Sequence, residues 1–293
     1  MIRAEPAYAV LSEIDASCYD AVWETTMATG WAAQDYATLD EPSLAARVSI
    51  RTIDDIREAA LALCEAAAAR SLRIAACSDI ASKDQMVDAD GGIINGEIFG
   101  WMNDGERWWE DTRLALSSPL PRACRYESEP MWVNAQGFRT HSPNRYLDEM
   151  SLVDFEKRSL CNAAILIPVH LPFAQIAAVS FSPVDRSRTD LAEDFAAHGD
   201  LLATLSRRFI AGYVGAMRTQ QRMPSDCTLS KREVECLRWA AIGKTDREVS
   251  LILSRSHATV RYHVHRAGEK LNAVNRSQTV FKAGQLGYLG AAS

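Results

Sequence analysis

The chain has 293 residues, of which 47% are hydrophobic and 24% are charged, and its formal net charge is −6. This length predicts two domains, and the composition is that of a globular protein rather than a disordered or fibrous one. Seven scattered cysteines without a CxxC pair argue against a disulfide framework or a zinc site and predict a cytoplasmic protein. The most apolar run, residues 163–181, is interrupted by two prolines and a histidine, so we predict no membrane span.

The first part of the chain predicts a short helical arm followed by mixed helix and strand. Residues 1–50 are weakly patterned and are predicted to form an N-terminal helical extension. Thr52 and Asp55 can cap a helix that runs to Arg70, because its apolar residues recur at helical spacing. Residues 71–77 predict a strand, and a second strand is expected after the glycine turn at 90–92 and as far as Phe99.

The middle of the chain predicts the rest of an antiparallel sheet. A helix is expected over 105–116, and short strands over 131–134 and 138–140. Apolar runs at 163–170 and 175–181, joined by a proline-containing turn, predict a central hairpin. The fold expected for residues 51–217 is therefore an α/β domain with an antiparallel sheet. It is interpreted as a sensory and dimerisation domain.

A long helix is predicted from residue 190 to about 217. At about 1.5 Å per residue it would span roughly 40 Å, more than the covering of a small sheet requires. Its apolar stripe therefore either faces a second subunit or packs only on its own sheet, and both interpretations stay open. Residues 218–228 are polar and contain Pro224, so they predict an interdomain linker.

Residues 229–293 contain three helix-start signals in quick succession. Ser230 with Glu233 and Thr245 with Glu248 have the spacing of capping boxes, and Ser256 precedes a further helical run. The short connection between the second and third runs suits a helix-turn-helix motif. A fourth run begins near Ser277, so an all-α domain of four helices is expected.

The third of these helices has a polar face that fits the major groove of DNA, where arginine reads guanine edges. Its expected base-reading residues are Thr259, Arg261, Tyr262 and His265. Flanking residues are expected to contact DNA phosphates and to fix the docking register. These are Lys244, Thr245, Arg255, Arg266, Lys270 and Arg276.

The charge of the chain is unevenly divided. Residues 229–293 contain 11 Lys and Arg against 5 Asp and Glu, a net charge of +6, whereas the rest of the chain has a net charge of −12. A cationic module on an acidic body favours selective attraction of phosphate by one end. The alternative is a small helical bundle whose charges are only solvated.

The same segment resembles the DNA-binding domain of LuxR-type transcription regulators. The resemblance is carried by LSKREVECLRWAAIGKT at 229–245, TVRYH at 259–263, KL at 270–271 and NRSQ at 275–278. The form WAAIGKT and the closing LGYL at 286–289 are similar to the quorum-sensing branch of that family. By this resemblance Arg261, Tyr262 and His265 lie at base-reading positions.

The order of elements in residues 51–217 also resembles the ligand-binding domain of quorum-sensing LuxR regulators. That domain is an α-β-α sandwich that binds acyl-homoserine lactones. The family has an Asp that accepts from the ligand amide where this sequence has Ser118. The resemblance therefore implies a small apolar or amphipathic effector other than a standard acyl-homoserine lactone.

Several residues are predicted to line a ligand pocket, and packing in the core is the alternative for each aromatic one. They are Trp101, Trp108, Trp109, Ser118, Tyr126 and Trp132.

The sequence thus predicts a DNA-binding transcription regulator with no resident cofactor, acting as a homodimer on a pseudo-palindromic operator. RNA polymerase or another regulator is a further expected partner. No P-loop, GxSxG, HExxH or GxGxxG motif is present, so we do not expect an enzyme. The alternative is a ligand-independent regulator whose first domain is a protein-interaction and dimerisation module.

Overall fold

A computed structural model describes residues 41–82, 84–101, 117–217 and 227–290. The first two thirds of this range form an antiparallel sheet with helices on both faces, and the last part forms a separate set of four helices. This α-β-α sandwich followed by an all-α domain is the predicted fold class. None of the helices in the described residues is long and apolar enough to cross a membrane.

The sheet has five strands in the order β1-β5-β4-β2-β3, and every neighbouring pair is antiparallel. The predicted central hairpin is confirmed, since β4 and β5 pair directly from Ile165 opposite Phe181 to His170 opposite Ile176. The strands are β1 (Leu72–Cys77), β2 (Met131–Asn134), β3 (Gly137–Arg139), β4 (Ala163–His170) and β5 (Ile176–Pro183).

One face of the sheet carries the main hydrophobic core. Helix α1 (Glu41–Arg47), helix α2 (Ile56–Ala68) and the 26-residue helix α6 (Ala192–Met217) cover it. Leu202, Leu205 and Phe209 of α6 are fully buried in this core. Most of the apolar stripe of α6 therefore packs on its own sheet.

Residues 41–50, which the sequence assigned to the N-terminal extension, pack into the same core. Leu44 is 1% exposed and Val48 is fully buried. Gly212 of α6 lies so close to this segment that an added Cβ would come within 2.8 Å of the Ile50 carbonyl oxygen. Only a residue without a side chain fits there, so α6 and the segment before α2 are held in direct backbone contact.

The opposite face of the sheet carries a second, smaller core. Three short helices pack on it: α3 (Pro119–Ala123), α4 (Arg145–Asp148) and α5 (Phe155–Ser159). Alternate residues of one strand face opposite cores, so Ala164 and Leu166 of β4 contact this core while Ile165 and Ile167 contact the other.

The strand predicted to end near Phe99 is wrong, because residues 94–98 form one wide helical turn. Asn95 is buried there, and its side-chain amide bonds both the N–H and the carbonyl of Ala76. The amide thus docks the turn beside β1. The helix predicted over 105–116 lies outside the described residues, as do most of the linker and residues 1–40.

The C-terminal domain has the four predicted helices: α7 (Lys231–Ala241), α8 (Asp246–Ile252), α9 (His257–Lys270) and α10 (Arg276–Gln285). Both predicted capping boxes are confirmed at Ser230 and Thr245. Leu237, Val249 and Leu271 are fully buried in its core.

Tyr288 joins the beginning and the end of this domain. Its hydroxyl donates to the Cys227 carbonyl at 2.5 Å and accepts from the Leu229 N–H at 3.4 Å. The side chain also packs against the domain core. The segment that enters α7 is therefore fixed to the residues that follow α10.

Candidate nucleic-acid interface and ligand cavity

Helices α8 and α9 are joined by a tight turn at residues 253–256. Ser254 in this turn has a φ of +51°, and the Arg255 N–H donates to the Ser250 carbonyl at 2.9 Å. The Ser256 hydroxyl accepts from the Thr259 N–H at 3.1 Å and caps the first turn of α9. Val260, Val264 and Ala267 are buried against α7 and α8, so the opposite side of α9 is turned to solvent.

The solvent face of α9 carries the predicted base-reading residues Arg261, Tyr262 and His265. Tyr262 is 60% exposed, and the His265 side chain is 75% exposed. No ion pair or hydrogen bond within the described part of the chain engages the Arg261 guanidinium. The Thr259 hydroxyl is instead within 2.8 Å of the Ser256 hydroxyl, inside the helix cap.

Glu269 is the acidic residue on this face, one turn further along α9. Its carboxylate pairs with Arg266 at 2.7 Å and lies 3.7 Å from Nδ1 of His265. The hydrogen bond and the charge of Glu269 raise the pKa of Arg266. The face therefore combines one unengaged guanidinium with two basic side chains that share a carboxylate.

The predicted phosphate-contacting residues surround α9 but several have partners within the domain. Lys244 lies 3.4 Å from the Glu248 carboxylate, and that same carboxylate accepts from the hydroxyl of the helix cap Thr245. Arg276 donates to the Lys244 carbonyl at 2.6 Å. Arg255 is exposed beside the start of α9. Their phosphate contacts stay predictions.

Lys270 is paired with a buried carboxylate of the same domain. Its Nζ lies 2.8 Å from Oε2 of Glu233, a side chain that is 6% exposed. Burial alone would raise the pKa of Glu233, but the hydrogen bonds from Lys270 and from the Ser230 N–H lower it below the ordinary value. This ion pair connects the end of α9 to the start of α7.

A cleft of about 210 Å³ lies between α7, the 253–256 turn and the first half of α9. Its lining includes Arg232, Arg255 and His263, so it has a basic character. Arg232 and His263 were not among the predicted site residues, although His263 stands two residues after Arg261. That they share one cleft could not be predicted from the sequence, because they lie on different helices.

The sheet domain has a cavity of about 70 Å³ on the face that carries the smaller core. Its floor is made of small side chains from β1 and β5, and Leu166 of β4 contributes one wall. The floor residues are Ala75, Cys77, Ala178, Ser180 and Ser182. Residues before α3 and at the end of α5 complete the described lining, among them Trp101, Ser118, Arg158 and Ser159.

Only two of the predicted pocket residues are in the described lining of this cavity, Trp101 and Ser118. The Trp101 indole N–H donates to the Ile74 carbonyl at 2.6 Å, so it is already engaged. Trp132 lies in the core on the other face of the sheet, because β2 alternates its side chains. Tyr126 is 47% exposed and stacks on Tyr146. Trp108 and Trp109 lie outside the described residues.

The residues of the cavity that the sequence did not reveal are Arg158 and Ser159. The guanidinium of Arg158 donates to the Ser117 carbonyl from Nε at 2.9 Å and from Nη2 at 2.5 Å. Its Nη1 donates to the carbonyls of Ser151 at 3.1 Å and Val153 at 2.9 Å. A lone arginine in a short helix gives no signal of this role in the sequence.

The cysteine thiols near the cavity are expected to be unreactive at neutral pH. Burial raises the pKa of Cys77 and of Cys161 to about 12, and it also raises the pKa of Cys124. A thiol reacts as its thiolate, so these side chains act as small apolar groups at neutral pH. All six cysteines of the described residues are free.

Comparison with known proteins supports the reading of the helical domain. Residues 227–283 match the family model "Bacterial regulatory proteins, luxR family". Transcriptional activator protein LuxR of Aliivibrio fischeri is 47% identical over 62 residues, which are 21% of this chain and 25% of that protein. The match therefore corresponds in length to the helical domain.

A longer match is found with transcriptional activator protein VanR of Vibrio anguillarum. It is 33% identical over 132 residues, 44% of this chain and 54% of VanR. A match of that length extends beyond the helical domain. A crystal structure of Escherichia coli SdiA covers 92% of this chain and is itself covered to 98%, with 17% identity and a TM-score of 0.42. The matched segments span a quarter of the length of LuxR and about half of the length of VanR.

Proposed function

The C-terminal domain of this chain belongs to the luxR family of bacterial regulatory proteins, and from that premise we propose that the chain regulates transcription by binding double-stranded DNA. The observation that carries the proposal is the solvent face of α9. Arg261, Tyr262 and His265 stand there on a capped, rigid helix whose other side is buried. A helix of this kind fits the major groove and presents donors to base edges.

Charge supports the same proposal. The domain carries a net charge of +6 within a chain whose net charge is −6, so it is the part that phosphate attracts. The basic cleft at Arg232, Arg255 and His263 adds donors beside the start of α9. We assign these three residues, with Lys244 and Arg276, to the DNA backbone.

Fluorescence anisotropy of labelled promoter fragments tests this function. A purified, folded chain is expected to bind with a strong salt dependence, because phosphate contacts release counterions. Arg261→Ala is expected to cost about 1–3 kcal/mol on the specific sequence and little on random DNA. Binding that is absent at low salt, or insensitive to salt, would contradict the proposal.

A homodimer on a two-fold symmetric site is part of the proposal. Two copies of α9 must then reach half-sites about one helical turn of DNA apart. The exposed side of α6, which includes Thr204, Arg207 and Ala211, is a surface on which such a dimer could form without opening the core. Analytical ultracentrifugation with and without DNA measures this state.

The first domain is proposed to sense a small molecule in the cavity beside β1 and β5. The mixed lining of small apolar side chains and serines supports this role over a purely structural one. The alternative, a protein-interaction module, is favoured by the modest volume of about 70 Å³. Mass spectrometry of the denatured protein distinguishes them, since a co-purified organic compound supports sensing.

A further inference from the structure

This inference rests on the proposed sensing role of the first domain and names the chemistry of its ligand. We infer that the cavity of the sheet domain takes a small organic acid, whose carboxylate is bound by Arg158 with the hydroxyl of Ser159. The two residues are adjacent at the end of α5, and both belong to the lining.

The guanidinium of Arg158 is held in place before any ligand arrives. Four hydrogen bonds fix it, and all of their acceptors are carbonyl oxygens of the backbone, in Ser117, Ser151 and Val153. A guanidinium has five N–H groups, so Nη2 retains one N–H without an acceptor among the described residues. The side chain is thus a rigid donor that needs no reordering on binding.

The acceptors orient Arg158 but do not neutralise its positive charge. No carboxylate belongs to the described lining of the cavity, and the acceptors of Arg158 among the described residues are all backbone carbonyls. A cation beside a low-dielectric cavity attracts an anion more strongly than an exposed cation does. A guanidinium that faces a carboxylate forms the short, charge-assisted bonds typical of such pairs.

The hydroxyl of Ser159 is a second, independent indication that a ligand oxygen binds here. This hydroxyl is buried and has no hydrogen-bond partner among the residues that the structure describes. Buried hydroxyl groups without partners are rare in native proteins, because each loses its bonds to water. The ligand carboxylate would supply the acceptor that this hydroxyl lacks.

The other lining residues limit the size and polarity of the part of the ligand beyond its carboxylate. Ala75, Cys77 and Ala178 form a floor of small side chains, and Leu166 adds an apolar wall. The volume of about 70 Å³ holds only a few non-hydrogen atoms, which limits the acid to about two to four carbons. Ser118 and Ser182, each 8% exposed, add two hydroxyl groups to the lining.

Titration calorimetry with matched probes tests the inference on the full-length protein. Propanoate and propanamide suit a cavity of this size, have nearly the same shape and differ in charge. Propanoate is expected to bind at least about tenfold more tightly than propanamide, because a charge-assisted pair replaces a neutral hydrogen bond. Equal affinities, tighter binding of propanamide, or no binding of any acid from acetate to butanoate would overturn the inference.

Variants separate a ligand contact from a structural role of Arg158. Arg158→Gln is expected to bring the ratio of propanoate to propanamide affinity close to one, and Ser159→Ala to weaken propanoate binding several-fold. Arg145→Gln removes an exposed arginine of α4 and is the matched control, which should retain the full preference. An unchanged preference in Ser159→Ala and in Arg158→Gln would refute the assignment.

Folding of the variants is checked by circular dichroism and cooperative urea unfolding. If Arg158→Gln does not fold, Arg158→Lys is used instead, because it keeps the charge and loses the backbone hydrogen bonds that hold the guanidinium in place. It should weaken propanoate binding several-fold and leave propanamide binding unchanged, and an undiminished propanoate affinity overturns the inference. Salt-sensitive DNA binding by a protein that shows no preference for propanoate overturns this inference alone. Loss of DNA binding with an intact propanoate preference contradicts only the proposed regulatory function.

Discussion

Lys270 at the end of α9 donates to the buried carboxylate of Glu233 at the start of α7, with 2.8 Å between Nζ and Oε2. The pair joins the helix proposed to enter the DNA groove to the helix that supports it. Because Glu233 is 6% exposed, the removal of Lys270 leaves a buried charge with only the N-terminal cap of α7 as partner. Lys270, which the sequence predicts to contact phosphate, therefore connects two helices within the domain.

Lys270→Ala is therefore expected to destabilise the helical domain by about 1–3 kcal/mol, the cost of an unpaired buried charged group that keeps partial access to water. Urea unfolding followed by circular dichroism measures the change. Lys231→Ala, an exposed lysine on α7, is the control and should remain within about 0.5 kcal/mol of the wild type. Equal free energies of unfolding for the two variants would show that Lys270 does not stabilise the domain.

The same pair predicts how stability depends on pH. The folded protein lowers the pKa of Glu233 below its ordinary value of 4.5, so the unfolded chain binds the proton more readily. The contribution of Glu233 is present above that pH and is lost as the pH falls through the lowered folded pKa. Urea midpoints between about pH 3 and 6 should fall more steeply for the wild type than for Glu233→Gln. Parallel pH profiles would contradict the prediction.

Glu269→Gln is expected to tighten DNA binding. The change removes the one negative charge from the exposed face of α9 and releases Arg266 and His265 from it. The slope of log affinity against log salt should rise by about one, as for one additional phosphate contact. Anisotropy titrations over a salt series measure both quantities. Glu149→Gln, which breaks an exposed pair at α4 of the first domain, is the control and should leave the slope unchanged.

Arg261→Ala tests which residue reads a base. Its guanidinium has no partner within the described chain, so it is free to form two hydrogen bonds with a guanine edge. The substitution should reduce discrimination between specific and random DNA by about 1–3 kcal/mol while the salt slope stays nearly constant. Arg238→Ala on α7 is the matched control. Equal losses on both DNAs would mean that Arg261 contacts phosphate instead.

Thiol labelling tests the description of the cavity. Because burial raises the pKa of Cys77 and Cys161 to about 12, iodoacetamide at pH 8 should modify them far more slowly than in urea. Peptide mapping by mass spectrometry identifies the labelled positions in each condition. Rapid labelling of either cysteine in the folded protein would contradict the raised thiol pKa.

Local signals explain what the sequence predicted well. The capping boxes at Ser230 and Thr245 depend on residues three apart, and the structure has both. The strands β4 and β5 follow from long apolar runs that only a sheet buried on both faces accommodates. Such features need no knowledge of distant contacts.

Features that depend on tertiary contacts could not be predicted from the sequence. Trp132 faces the opposite side of the sheet from the cavity because of the register of β2 against β4, which no local pattern reveals. The helical turn at 94–98 replaces a predicted strand because the Asn95 amide bonds the backbone of β1. Lys270 and Glu233 are 37 residues apart, so no local sequence pattern predicts their ion pair.

The bridge formed by Tyr288 gives the helical domain a mechanical property. Its hydroxyl bonds Cys227 near the end of the linker and Leu229 just before the cap of α7, so both termini of the domain are joined where the linker enters. We expect the four helices to turn as a single body when the first domain shifts. A reorientation upstream would therefore change where α9 is aimed and leave its internal geometry untouched.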